Sequence, residues 1–167
     1  MYCYRITKYN PEFRDKNGRY TQEDWTSISD IGRVFNGETL TKEEYLRIEN
    51  GYISAIKLTM EENNISTLMI NCLEKYYDVS DETYFSPDEK ELLAEIKDNM
   101  NVSKDKIENL IRMTLRELLW CKLKSERVEI EFGYDYYMYI KCDQIKDSTV
   151  EFLLSKGIFV ELMTQGD

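Results

Sequence analysis

After Arg127 the apolar residues of this chain recur at every second position, whereas upstream they recur with a helical period, and this switch constrains the fold more than any other feature. Val128, Ile130 and Phe132 alternate with Arg127, Glu129 and Glu131, the pattern of a strand with one face on a core and the other in water. Gly133-Tyr134-Asp135 interrupts the run, and Tyr136, Met138 and Ile140 resume it. A β-hairpin is the economical reading, with one long strand bulged at Gly133 as its rival. Upstream, Thr41 and Glu44 form a capping box that opens a helix with Tyr45, Ile48, Tyr52, Ala55, Ile56 and Met60 on one face, stopped at Asn63-Asn64. Gly51 lies in its middle, where glycine costs about 1 kcal/mol against alanine, so a close neighbour is expected over it. Ser86 with Pro87, Asp88 and Glu89 starts another helix with Leu92, Leu93 and Ile96 as its buried stripe. Ser103 starts a third, stapled by Val102 on Ile107, along which Ile107, Leu110, Ile111, Thr114, Leu118 and Cys121 share a face widened by Leu115 and Leu119.

The remaining segments complete an α+β pattern. Tyr2 to Tyr9 reads as a first strand closed by Asn10-Pro11, and Asp15-Lys16-Asn17-Gly18 as a tight turn. The same turn lacks the alternating ligands and terminal glutamate of a calcium loop. A short helix is expected after Ser27 or Ser29, ended by Asn36-Gly37, and a buried strand over Ile65 to Leu73. A final helix from about Asp147 to Lys156 stops at Gly157, and Ile158 to Met163 returns as a last strand. The expectation is a single domain over residues 1–167: a small mixed or antiparallel sheet with about four to five helices packed largely on one side.

Composition narrows the function. The chain has no histidine, the side chain best suited to proton transfer near neutrality and the commonest metal ligand. Ser-His-Asp and Cys-His catalysis and histidine-based metal sites are thereby excluded. No glycine-rich phosphate loop and no Gly-x-Ser-x-Gly elbow occurs. No catalytic, cofactor or metal residue is assigned. Cys3, Cys72, Cys121 and Cys142 lie too far apart for a local redox or zinc motif and read as reduced, mostly buried thiols. The most apolar stretch, Ile65 to Leu73, is far short of the roughly 20 residues of a membrane span, and the N-terminus lacks a secretory pattern. A cytoplasmic protein with no membrane contact is expected. The net charge of −10 repels a phosphate backbone, so nucleic acid is not expected either, whereas a basic protein partner is its electrostatic complement.

Glu129 and Glu131 share a strand face and, with Asp30 or Asp135, are the carboxylates from which a metal-dependent enzyme acting on nucleotides or phosphate esters could be built. A solvated strand face accounts for the same pattern. The run Tyr134-Asp135-Tyr136-Tyr137-Met138-Tyr139 carries the main binding expectation. Alternation sends Tyr137 and Tyr139 to the face opposite Met138 and Ile140, and tyrosine supplies large contact area with few rotors. Tyr134, Asp135, Tyr137, Tyr139, Glu129 and Glu131 are therefore the candidate protein-binding residues.

The segments Tyr4-Arg5-Ile6-Thr7-Lys8-Tyr9-Asn10-Pro11, Glu23-Asp24-Trp25-Thr26-Ser27-Ile28-Ser29-Asp30-Ile31-Gly32 and Phe132-Gly133-Tyr134-Asp135-Tyr136-Tyr137 give the chain a style that resembles small bacterial proteins similar to toxin-immunity proteins. The resemblance rests on no diagnostic motif. It implies an inhibitor that binds a toxin domain directly, presents an acidic face when that toxin is basic, and performs no chemistry. A structural subunit of a larger assembly is the remaining expectation.

Overall fold

Each long helix begins where the sequence supplies an oxygen to cap it. The Thr41 hydroxyl accepts the Glu44 N–H at 3.1 Å and opens α1 (Lys42–Glu62), and a complete capping box between Ser86 and Glu89 opens α2 (Pro87–Glu95). Ser103 precedes α3 (Lys104–Leu115) without a side-chain cap bond, and α4 covers Asp147–Ser155. The computed structural model describes residues 1–78, 80 and 84–164. Around these helices run β1 (Tyr2–Thr7), the two-residue strands β2 (Val34–Phe35) and β3 (Glu38–Thr39), β4 (Thr67–Lys75), β5 (Asn101–Ser103), β6 (Leu119–Lys124), β7 (Glu129–Phe132), β8 (Met138–Cys142) and β9 (Phe159–Met163).

The protein is α+β, and its main sheet has seven strands in the order β5-β4-β6-β7-β8-β1-β9, every pair antiparallel. It is larger than the small sheet expected from the sequence, and the α-helices among the described residues number four. Register explains the core. Ile6 lies opposite Met138, Ile140 opposite Ile130, Ile130 opposite Leu123 and Leu123 opposite Ile70, so one parity of β1, β8, β7, β6 and the first half of β4 reaches the same face. Those side chains join Tyr45, Tyr52, Ile56, Leu93, Ile107, Leu110, Ile111 and Leu153 of the helices in one buried cluster. The other face carries Glu129, Glu131, Lys122, Lys124 and Lys141, paired across strands.

Two expected helical stretches are corrected. Ile28–Asp30 is a single 3-10 turn capped by Ser27 and Asp30, and Asn36-Gly37, with φ of 50° and 82°, is the turn of the β2–β3 hairpin rather than a helix stop. Helix α3 ends at Leu115. Leu119 and Cys121 belong to β6, where alternate residues are buried, a two-residue period hidden inside an apolar segment that also satisfies a helical one. The hairpin after Arg127 is present as β7 and β8. Two of the four thiols, Cys121 and Cys142, are buried; Cys72 is exposed.

Gly51 has the close neighbour its position predicts. A Cβ there would stand 2.5 Å from Cγ1 of the fully buried Ile158, which follows α4. Gly51→Ala is expected to lose about 1–3 kcal/mol of stability through overpacking, against about 1 kcal/mol gained in helix propensity. A net rise in urea midpoint would contradict this packing.

Candidate functional site

A cleft of about 620 Å³ opens at one end of the sheet, lined by Glu74, Tyr76, Tyr77, Glu117, Leu119, Trp120, Glu131, Phe132, Gly133 and Tyr134 among others. Three features of the backbone build it. The first is a bulge in β4: Asn71 pairs with Lys122, but Glu74, three residues on, pairs with Trp120 only two residues back. Cys72 absorbs the extra residue at φ 56°. Side chains after it change face, so Glu74 joins Trp120 while Lys75 turns to the helices and donates to the Leu93 carbonyl at 2.5 Å.

The second is the end of α3. The Glu117 N–H donates to Thr114 O and the Leu118 N–H to Met113 O, with Glu117 at φ 58°. This is the Schellman arrangement, whose left-handed position glycine usually fills. Here it holds an exposed glutamate that makes no ion pair or side-chain hydrogen bond among the described residues.

The third is the β7–β8 turn. Tyr137 N–H donates to Tyr134 O at 3.1 Å, and Asp135 and Tyr136 between them have φ of 54° and 64°, the signs of a type I′ turn. A tyrosine in such a position is strained. Burial holds it. The Tyr136 ring packs on Trp25 at 4.9 Å, its hydroxyl lies 2.8 Å from that of Tyr45, and its carbonyl accepts the Tyr52 hydroxyl at 2.5 Å. Tyr45 in turn donates to Glu49 at 2.7 Å. Glu49 is fully buried and also takes both Arg116 bonds, at 2.8 Å each, and one from Arg112. From the other side the Tyr9 hydroxyl donates to Asp135 O at 2.6 Å. A rigid buried network thus points Tyr134, 88% exposed, outward at the rim of the cleft.

The rim is aromatic. Tyr76, Tyr77 and Tyr84 are exposed, the last two with ring centroids 4.8 Å apart. Trp120 lines the cleft with its indole N–H on the Phe132 carbonyl at 2.9 Å. The Tyr76 hydroxyl is raised above its usual pKa by partial burial and then by Glu74, to which it donates at 3.3 Å, with Tyr134 and Glu117 adding to the effect. These groups therefore converge on one small volume. No lysine or arginine lines it among the described residues, although Lys122 flanks it, with Nζ 5.9 Å from the Trp120 ring centroid and 3.1 Å from Glu131.

The six residues singled out from sequence divide unequally. Tyr134 and Glu131 line the cleft, and Asp135 is exposed in the turn beside it. Tyr137 and Tyr139 do point away from Met138 and Ile140, but Tyr137 is closed in by Tyr9, stacked at 5.2 Å, and by Arg14, which donates to its hydroxyl at 3.1 Å. Tyr139 and Glu129 belong to a separate shallow hollow on the open sheet face with Lys122, Lys124 and Lys141. Lys124, 2.9 Å away, holds the Glu129 carboxyl below its usual range. Asp30 accepts from the Thr26 and Ser27 N–H groups and pairs with Arg33. No group of three or more acidic or cysteine side chains is arranged to hold a metal ion among the described residues. Glu74, Tyr76, Tyr77, Tyr84, Glu117 and Trp120 were not singled out by sequence. Only the Tyr76-Tyr77 pair carried a signal, two aromatics in a polar connection.

The chain matches no protein-family model, no curated protein and no solved structure. The geometry of the cleft is therefore what a functional reading rests on. Among the described residues, no helix is long and apolar enough to cross a membrane.

Proposed function

We propose that this protein acts by binding another protein, with no chemistry of its own, as an inhibitor of the immunity kind that covers a basic toxin domain. The observation that carries the reading is the gathering of Tyr76, Tyr77, Trp120 and Tyr134 around one acidic cleft, three of whose supporting turns have non-glycine residues at positive φ, with Tyr84 packed on Tyr77. Exposed aromatics on rigid supports lose little entropy on binding and form the anchors of protein interfaces. Strain held at several neighbouring turns is what a functional surface tolerates and a merely structural one sheds. The net charge of −10 would steer a basic partner toward the complex and speed association at low salt.

Affinity capture from the native host, followed by reconstitution with the purified partner, tests this. The expected partner is a basic protein, the product of the neighbouring open reading frame being the first to try. Tyr134→Ala is expected to weaken its binding at least about tenfold, an ordinary loss for an interface anchor. Failure to reconstitute any complex, or a complex indifferent to Tyr134→Ala and Tyr76→Ala, would overturn the proposal. A carboxylate metal enzyme has no comparable observation in its favour, since Asp30, Glu129 and Glu131 each lie in ion pairs.

A further inference from the structure

Resting on that reading, we infer that the cleft takes an arginine side chain as the anchor of the partner's docking segment. Its lining combines flat aromatic surface, from Trp120, Tyr76 and Tyr134, with the carboxylates of Glu74, Glu117 and Glu131. A guanidinium can stack on an aromatic face and fork onto a carboxylate at once, because its charge is planar and weakly hydrated. An ammonium is a compact, strongly hydrated point charge without a planar fork, so it gives up more hydration and gains less from the same pair of contacts. The three acids differ in availability. Glu131 is 3.1 Å from Lys122 and Glu74 accepts the Tyr76 hydroxyl. Glu117 stands unpaired among the described residues at φ 58°. A glutamate at the position where a helix end favours glycine holds one negative charge over the cleft at a conformational cost. The cleft, at about 620 Å³, exceeds a single side chain, so the arginine enters with flanking residues of a peptide segment.

Capped five-residue glycine peptides with a central arginine, lysine or citrulline are the probes, titrated into the whole protein to about 20 mM so that millimolar binding, about −4 kcal/mol, is visible. The readouts are the NMR signals of the Trp120 indole and the Tyr134 amide. The arginine peptide is expected to shift both saturably, the lysine peptide to bind at least threefold more weakly, and citrulline, the uncharged isostere, to leave them unmoved. Glu117→Gln is expected to weaken the arginine peptide at least threefold. Glu117→Gly does the same while the thermal midpoint stays level or rises, because glycine relieves the left-handed strain. Equal binding of lysine or citrulline, no saturable shift, or Glu117→Gly behaving as wild type overturns the inference. A protein partner whose capture depends on Tyr134 while the arginine peptide fails would leave the proposed function standing without this anchor. A peptide that binds while capture ignores Tyr134 would do the reverse.

Discussion

Glu49→Ala is expected to destabilise the protein by about 3–5 kcal/mol, the range for removing one partner of a buried ion pair. The carboxylate has no exposed surface, and it receives the Arg116 guanidinium through two bonds, Arg112 through one and the Tyr45 hydroxyl through another. Truncation would leave the Arg116 guanidinium, about one-fifth exposed, without an anion beside Arg112, whose remaining carboxylate partner is Glu108 at 3.0 Å. It would also leave the Tyr45 hydroxyl with the Tyr136 hydroxyl in place of a carboxylate as its acceptor. A domain of this kind is stable by only about 5–15 kcal/mol, so the loss is a large share of the whole. Glu49→Gln keeps the shape and an acceptor for Tyr45 and should lose less. The triple change of Glu49, Arg112 and Arg116 to leucine should recover much of the alanine loss, since the desolvation of all three charges is removed together. Urea denaturation followed by tryptophan fluorescence measures each. A Glu49→Ala variant within about 1 kcal/mol of wild type would mean that the carboxylate does not neutralise the two arginines.

The same substitution reaches the cleft. Glu49 holds Tyr45, the Tyr45 hydroxyl meets that of Tyr136, and Tyr136 occupies the strained turn that presents Tyr134. Loss of the carboxylate should therefore weaken partner binding in the folded fraction as well as stability. A conservative change on the open sheet face, such as Glu129→Gln, should affect neither by more than about 0.5 kcal/mol, the usual effect of surface changes.

The parts of this fold that were legible in sequence are those where local chemistry decides conformation. Thr41 and Ser86 have side chains that satisfy orphan helix N–H groups, and the alternation after Arg127 leaves only one face for a core. Asn36-Gly37 and the segment from Leu118 to Cys121 were misread because the same residues fit two local structures. An Asn-Gly pair ends a helix or turns a hairpin, and a dense apolar run holds both periods. Neighbouring strands settle the choice, here β4 and β7 on either side of β6. The cleft was half hidden for a related reason. Tyr134 is visible as part of a tyrosine run, whereas Glu74 reaches the same space only because a bulge flips its parity, and Glu117 only because α3 stops two residues before it. Neither event leaves a mark in a pattern of apolar residues.

The buried tyrosines that support the cleft should also govern the response to alkali. Tyr9, Tyr45, Tyr52 and Tyr136 all have hydroxyls whose pKa is raised above the ordinary value, foremost by burial, with neighbouring carboxylates adding to it and, against it, the Lys8 N–H at Tyr52 and the Tyr45 hydroxyl at Tyr136. The unfolded chain releases these protons near pH 10 while the folded chain keeps them. Above that pH the folded state binds more protons, so stability falls as pH rises, by up to about 1.4 kcal/mol per pH unit for each tyrosine and about 5–6 for the four together. Lys8 works in the opposite sense below this range. It is sealed between Trp25 and Tyr9, at 4.1 and 4.2 Å, and although Asp24 lies 2.7 Å away, burial lowers its pKa to about 8. From pH 8 to about 10 the unfolded lysine keeps a proton that the folded one loses, so this group adds stability as pH rises, by up to about 3 kcal/mol. The Cys121 and Cys142 thiols, pushed up by burial to about 12 and about 11, oppose it from about pH 9, where unfolded cysteine ionises, so the expected profile rises only between about pH 8 and 9, then falls, and steepens above pH 10. Lys8→Met should abolish the rise and keep the drop. Urea unfolding from pH 7 to 11.5 gives the curve, and absorbance of tyrosinate in the native protein counts the hydroxyls that titrate. If all 13 tyrosines ionise near pH 10 without unfolding, the network around Tyr136 is open to water and cannot be what holds Tyr134 in place.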